Sequence, residues 1–434
     1  MTRLFMMATF MFASVFAQDM AGVSTRLNRI DLVRPDAPEL AAHGAFDIGV
    51  QTLELVNPAQ LDIVNAVEGE ETPLYDRELT LEIWYPAQLG GATPFGEYSV
   101  VTTDGETEAT LTGQAVRDAQ PLTDDAPYPL VIFSHGYPGN RFLLSHLAEN
   151  LATKGYVVAS IDHTDSTYSD QGVFGSTLLN RPLDQVFVLD ELERLSSESG
   201  QFLDGLVDTN NTGIVGYSMG GYGVINLLGG GFSESILDFP ASPPNDVLAQ
   251  RVAGNEAYTG GSDERIKAAI AVAPWGMNYA LWDAEGLAGV KTPMMFVAGS
   301  KDDVAGYEDG VRAIYEGAVN SERYLLTFMN ANHNAAAPIP APAEVWDNGT
   351  YDHYSDPVWD TLRMNNIFQH FATAYFDLYL KGDTATAAYL DLVPAAEDGV
   401  WSLDDDGEPT DEHSYWQGFP ERTALGLMLE HETP

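Results

Sequence analysis

The sequence has 434 residues, 45% of them hydrophobic and none of them cysteine, so it can bury a large core but offers no disulfide or thiolate metal site. Its 64 acidic residues outnumber 20 basic ones and give a net charge of −44 at pH 7. Such a surface disfavours nucleic acid and anionic membranes as partners. The acidic residues are spread along the chain, and we interpret them as a solvated acidic surface whose self-repulsion would be screened in a saline environment.

The N-terminus has the pattern of an export signal. Arg3 precedes an apolar run over residues 4–16 that is too short to span a bilayer, and Val-Phe-Ala at 15–17 suits cleavage before Gln18. We therefore expect a signal peptide at 1–17 and a secreted or periplasmic protein. No later segment is predicted to span a membrane, and the sequence leaves the oligomeric state open.

Strand-like apolar runs alternate with helical patterns along the chain, which predicts a mostly parallel sheet of the α/β class. The predicted strands are residues 79–85, 130–133, 156–161, 213–215, 268–272, 294–298 and 324–328. Helices are predicted at 141–154, 183–197, 220–228, 307–318 and 362–380.

Stretches rich in Gly, Pro and Asp interrupt this alternation at about 88–127, 229–264 and 335–360, and a C-terminal extension follows at 383–434. We interpret them as additions to a single catalytic domain over 18–434. Residues 229–264 combine apolar side chains with glycines at both ends. We expect this segment to form a lid over the functional site.

Residues 216–220 read Gly-Tyr-Ser-Met-Gly and lie between a predicted strand and a predicted helix. A sharp strand-to-helix turn needs glycines on both sides of the serine, and it pushes the hydroxyl out of the sheet. The helix N-terminus also favours developing negative charge. Ser218 is therefore the candidate nucleophile, and an ordinary serine in a Gly-rich turn is the alternative.

A serine hydroxyl needs a base and an orienting acid, and in such folds the acid follows the serine along the chain and the histidine base follows the acid. Of the histidines after Ser218, only His333 directly follows a predicted strand; the others are His353, His370, His413 and His431. Asp302 and Asp303 follow the strand at 294–298, and both are candidate acids. We favour Asp302, three residues beyond the glycine that ends the strand.

The backbone N–H groups of Tyr137 and Met219 are the candidate oxyanion-hole donors. Tyr137 lies in Ser-His-Gly-Tyr-Pro-Gly at 134–139, directly after a strand, and Met219 follows the nucleophile. His135 is interpreted as structural. The reaction expected from these groups requires neither a metal nor an organic cofactor.

Several strings resemble the dienelactone-hydrolase-like branch of the α/β-hydrolase fold, which includes platelet-activating-factor acetylhydrolases. They are Phe-Ser-His-Gly at 133–136, residues 151–162, Arg-Pro-Leu-Asp at 181–184, residues 216–221 and residues 375–383. The resemblance covers roughly residues 79–383. It implies the α/β-hydrolase fold, with helices on both faces of the sheet. We interpret Arg181 and Asp184 as a structural ion pair.

The sequence is also similar to bacterial polyester hydrolases and cutinases. That similarity implies an acyl-binding subsite at Tyr137, Met219 and Trp275, although Trp275 is equally interpretable as a core aromatic. We expect a serine esterase acting on short-acyl esters, with a polyester hydrolase as the alternative. A peptidase, or a secreted binding protein without activity, is less favoured.

Overall fold

A computed structural model describes residues 28–434, so the expected signal peptide at 1–17 lies outside the described residues. The strands are β1 (Ile48–Leu61), β2 (Leu74–Gln88), β3 (Gly96–Val101), β4 (Glu108–Gly113), β5 (Val116–Arg117), β6 (Gln120–Pro121), β7 (Tyr128–Ser134), β8 (Val157–Asp162), β9 (Val207–Tyr217), β10 (Ile266–Val272), β11 (Met294–Gly299), β12 (Arg323–Phe328) and β13 (Leu427–Glu432). The α-helices are α1 (Ser145–Ala152), α2 (Phe174–Ser197), α3 (Met219–Leu227), α4 (Ala284–Leu287), α5 (Ala313–Gly317) and α6 (Thr361–Leu380).

The central sheet has the strand order β13-β12-β11-β10-β9-β7-β8-β2-β1-β5. The six strands from β12 to β8 are parallel, whereas β13 pairs antiparallel with β12, and β2 pairs antiparallel with both β8 and β1. The chain runs from β7 outward to β8 and then crosses back to β9 on the other side of β7. The carboxyl ends of β7 and β9 therefore flank a topological switch point, where ligands bind in open α/β sheets.

Two hydrophobic layers cover the sheet because its central strands are apolar on both faces. In β7, Val131 and Phe133 face the layer that holds α1 and α6. Leu130 and Ile132 face the layer that holds α2 and α3. Each predicted strand and helix has a counterpart in the structure, but residues 307–312 form a π-helical turn before α5.

The interrupting stretches contain more regular structure than we expected. Residues 88–127 include the β3–β4 hairpin, which forms a separate two-stranded sheet. The C-terminal extension supplies β13, which pairs with β12 at the edge of the central sheet. Leu427 and Leu429 of β13 are buried there, so the extension contributes to the core.

Candidate active site

Ser218 lies in a tight turn between β9 and α3. Its backbone has φ 52° and ψ −111°, in the left-handed region that disfavours residues with a side chain. A Cβ on Gly216 would approach the Gly220 carbonyl carbon to 2.4 Å, and one on Gly220 would approach the Ser134 oxygen to 1.9 Å. Glycine is therefore required at both positions, as the sequence pattern predicts.

The structure brings Ser218, His333 and Asp302 together from three strand ends. His333 Nε2 lies 3.1 Å from Ser218 Oγ, and His333 Nδ1 lies 2.9 Å from Asp302 Oδ2. The Asp302 side chain is completely buried and that of His333 is 12% exposed. A serine, an imidazole and a carboxylate in this chain of contacts can activate the serine hydroxyl.

The two candidate acids occupy different environments. Burial by itself would raise the pKa of Asp302, but the hydrogen bond with His333 and those from the N–H groups of Val304 and Ala305 hold it below its ordinary value. Asp303 is exposed and makes no side-chain bond to His333 in the described part of the chain. The geometry therefore favours Asp302, which also stays ionised.

The loop after β7 approaches the nucleophile closely. A Cβ on Gly136 would lie 3.4 Å from the Ser218 Cβ, which places the neighbouring Tyr137 beside the serine. The buried Arg181 guanidinium donates hydrogen bonds to the backbone carbonyl oxygens of His135 and Gly136. Sequence reasoning missed this anchor, which fixes the direction in which the loop presents its N–H groups.

The expected ion pair between Arg181 and Asp184 is wrong. Asp184 accepts two hydrogen bonds from Arg77, at 2.7 and 2.8 Å, and lies 2.8 Å from His163 Nδ1. Arg181 lies one turn away on α2 and points to the loop carbonyls instead. Arg77 lies on β2, 107 positions before Asp184, and a sequence carries no local signal of such a contact.

Asp184 also belongs to a second Ser–His–Asp chain. Ser134 Oγ lies 2.8 Å from His163 Nε2, and His163 in turn contacts Asp184. Ser134, His163 and Asp184 are all buried, and none of them lines the cleft at Ser218. This second chain therefore ties β7, β8 and α2 together and gives an ester no access to Ser134.

A cleft of about 450 Å³ opens at Ser218 and His333. Tyr137, Asp303 and the segment 349–353 line it, including His353. Burial lowers the pKa of His353 to about 4, and its ring lies 2.6 Å from the Tyr168 hydroxyl, so it is a neutral wall residue. No predicted strand directly precedes His353, so the sequence pattern did not indicate that it lines the cleft.

The expected lid at 229–264 does not line this cleft. Phe232, Ile236 and Leu248 are buried, and the Phe232 ring stacks on Tyr222 of α3 at 5.8 Å between centroids. These apolar side chains draw the segment down onto α3. Two other insertions border the cleft: 335–360 through residues 349–353, and 88–127 through Thr103.

Trp275 lies near the nucleophile but outside the cleft lining. The backbone N–H of Trp275 donates to the backbone carbonyl of Ser218 at 3.2 Å, whereas the indole ring packs on Phe174 and Tyr279. Phe174 separates it from Tyr137, with ring centroids 5.1 Å from Tyr137 and 5.4 Å from Trp275. Tyr137 and Trp275 are thus parts of one aromatic cluster, which Phe174 bridges.

Within residues 28–434, no helix is long and apolar enough to cross a membrane. Over the same residues, no group of three or more His, Asp or Glu side chains is placed to hold a metal ion.

The family model described as "Platelet-activating factor acetylhydrolase, isoform II" matches residues 80–181. The chain is 26% identical over 212 residues to a bis(hydroxyethyl) terephthalate hydrolase of Streptomyces coelicolor, with 49% of this chain and 52% of that protein covered. It is 24% identical over 274 residues to cutinase 2 of Thermobifida cellulosilytica, with 63% and 76% covered. The chain thus spans about half the length of the terephthalate-ester hydrolase.

A ferulic acid esterase from Streptomyces cinnamoneus has a similar structure, with a TM-score of 0.53 and 20% identity over 80% of this chain and 94% of that one. This likeness confirms the expected α/β-hydrolase fold. The family model and the sequence relatives confirm the expected resemblance to platelet-activating-factor acetylhydrolases and to cutinases.

Proposed function

We propose that this α/β-hydrolase is a serine carboxylic ester hydrolase. The observation that carries the proposal is the chain of contacts from Ser218 through His333 to Asp302, with Ser218 and His333 lining a cleft. The names of its relatives, a terephthalate-ester hydrolase and cutinases, support the same reaction class. The export pattern at 1–17 supports a secreted or periplasmic protein. We also propose that residues 18–434 form one catalytic domain.

In the proposed mechanism, Ser218 Oγ attacks the ester carbonyl carbon while His333 Nε2 accepts its proton. The N–H groups of Tyr137 and Met219 stabilise the oxyanion. The intermediate collapses to an acyl-enzyme, and His333 returns the proton to the departing alcohol. Water, deprotonated by His333, then attacks the acyl group and releases the carboxylic acid with Ser218 restored. Asp302 holds the imidazole in the required tautomer throughout.

We propose short-acyl esters as the preferred substrates. Segment 349–353 borders the cleft, and a solid polyester needs an open, shallow groove. The alternative, a polyester hydrolase, is supported by the aromatic cluster of Tyr137, Phe174 and Trp275 beside the nucleophile.

Turnover of p-nitrophenyl esters of increasing acyl length, compared with product release from an aromatic polyester film, distinguishes the two substrates. We expect rapid hydrolysis of the acetate and slow release from the film. Equal rates on both would favour the polyester hydrolase. Ser218→Ala and His333→Ala should each lower turnover by several orders of magnitude with the fold intact. Normal turnover in either variant would contradict the mechanism.

A further inference from the structure

A second cavity, of about 470 Å³, lies between α2, α3 and the segment 229–264. It shares no lining residue with the cleft at Ser218. One wall is apolar and is formed by Leu179, Leu183 and Val186 of α2 together with Leu227 of α3. Its volume falls within the range of small-molecule sites.

The guanidinium of Arg251 lines the same cavity and lacks an ionic partner. Its Nη1 donates to Asn226 Oδ1 at 2.9 Å, and the buried Asn226 is itself fixed by a bond to the Gly230 carbonyl. No ion pair involves Arg251 within residues 28–434, whereas Arg265 contacts three carboxylates. An amide oxygen does not neutralise the guanidinium charge, and burial lowers the pKa of Arg251.

Two carboxylates also line the cavity, and neither is paired with Arg251. Asp263 is bound to Arg265, and Asp246 is exposed. The remaining N–H donors of Arg251 are therefore available to an incoming anion. The two aspartates disfavour a ligand with a second negative charge.

We propose that this cavity binds a monocarboxylate with an apolar tail. The carboxylate pairs with the free donors of Arg251, and the tail packs against the apolar wall at Leu179, Leu183 and Leu227. The proposal concerns binding alone and does not depend on the reaction at Ser218.

Calorimetric titration with octanoate tests the proposal. Octanamide, which is uncharged, and octylammonium, which carries the opposite charge, serve as control ligands with the same eight-carbon chain. We expect saturable binding of octanoate, with octanamide at least about tenfold weaker because it lacks the charge that pairs with arginine. Ser218→Ala should bind octanoate like the wild type. Arg251→Gln should weaken binding by at least about tenfold, and Arg194→Gln, at an exposed arginine of α2, is the matched control.

Ala257→Trp gives a second test that leaves Arg251 in place. Ala257 lines the cavity from an exposed position, so a large side chain there should obstruct the ligand and leave the core intact. The proposal is overturned if octanoate shows no saturable binding, if octanamide binds equally well, or if both Arg251→Gln and Ala257→Trp bind octanoate like the wild type. The last result would place the ligand elsewhere, for example in the cleft at Ser218.

Discussion

The substitution Asp302→Asn exchanges one carboxylate oxygen for an NH₂ group beside His333 Nδ1. Oδ1 accepts the N–H groups of Val304 and Ala305 at 2.9 Å each, and an amide oxygen can keep both bonds. The NH₂ group then faces Nδ1 and can donate to it only when Nδ1 carries no proton. The imidazole proton consequently moves to Nε2, which can no longer accept the proton of Ser218.

The expected loss in kcat is about 10⁴-fold, because the wrong tautomer removes the base while the oxyanion donors remain. At 1.36 kcal/mol per factor of ten, this corresponds to about 5.4 kcal/mol of transition-state stabilisation. The effect on folding should stay below about 1.5 kcal/mol, since the two backbone hydrogen bonds survive.

Asp303→Asn is the matched control because Asp303 is adjacent, exposed and without a bond to His333. We expect it to change kcat by less than about threefold. The assay compares kcat for p-nitrophenyl acetate in the wild type and both variants, with thermal melts to verify folding. If Asp303→Asn is the more damaging change, Asp303 is the acid; if neither matters, the assignment of an orienting carboxylate is wrong.

Three further predictions concern charge. Burial raises the pKa of Glu149 from 4.5 to about 7 despite hydrogen bonds from Tyr98 and two backbone N–H groups, so the folded state binds this proton more tightly than the unfolded state. This contribution to the free energy of unfolding is complete below about pH 4.5 and is lost as pH rises through about 7. Glu149→Gln should therefore reduce the change in unfolding free energy over this pH range by up to about 3 kcal/mol, as measured by thermal melts at several pH values. Asp303 and Asp352 line the cleft, and no lysine or arginine is among its lining residues. An ester that carries a carboxylate should therefore show a KM about tenfold above that of a neutral analogue, and the double Asn variant should reduce this difference in KM. Added NaCl should raise the melting temperature because it screens the net charge of −44, and a flat or falling trend would show that dispersed charges do not matter.

The sequence is informative wherever one local rule decides the structure. Parallel central strands are buried on both faces, so each appears as a short apolar run, and the polar residue that follows it lies at the same edge of the sheet. Ser218, Asp302 and His333 each follow such a run, which is why the sequence predicts three residues that the structure brings together. The tight turn at Ser218 adds its own glycine requirement.

The rest of the architecture depends on pairing that no local pattern reveals. β13 lies in a polar, acidic tail and is positioned by the free edge of β12, with only Leu427 and Leu429 buried. Arg181 and Asp184 are three residues apart on one helix, which suggests a pair, yet the partner of Asp184 is Arg77, 107 positions away. The roles of Phe174 and segment 349–353 likewise follow from packing in three dimensions.

Labelling with a serine-reactive fluorophosphonate tests the central claim most directly. Intact-protein mass spectrometry should show one adduct, peptide mapping should place it on Ser218, and ester turnover should fall in proportion to labelling. Ser218→Ala should take up no label, and the buried Ser134 should stay unmodified in the wild type. An adduct on another serine, or undiminished turnover after Ser218 is fully labelled, would contradict the account.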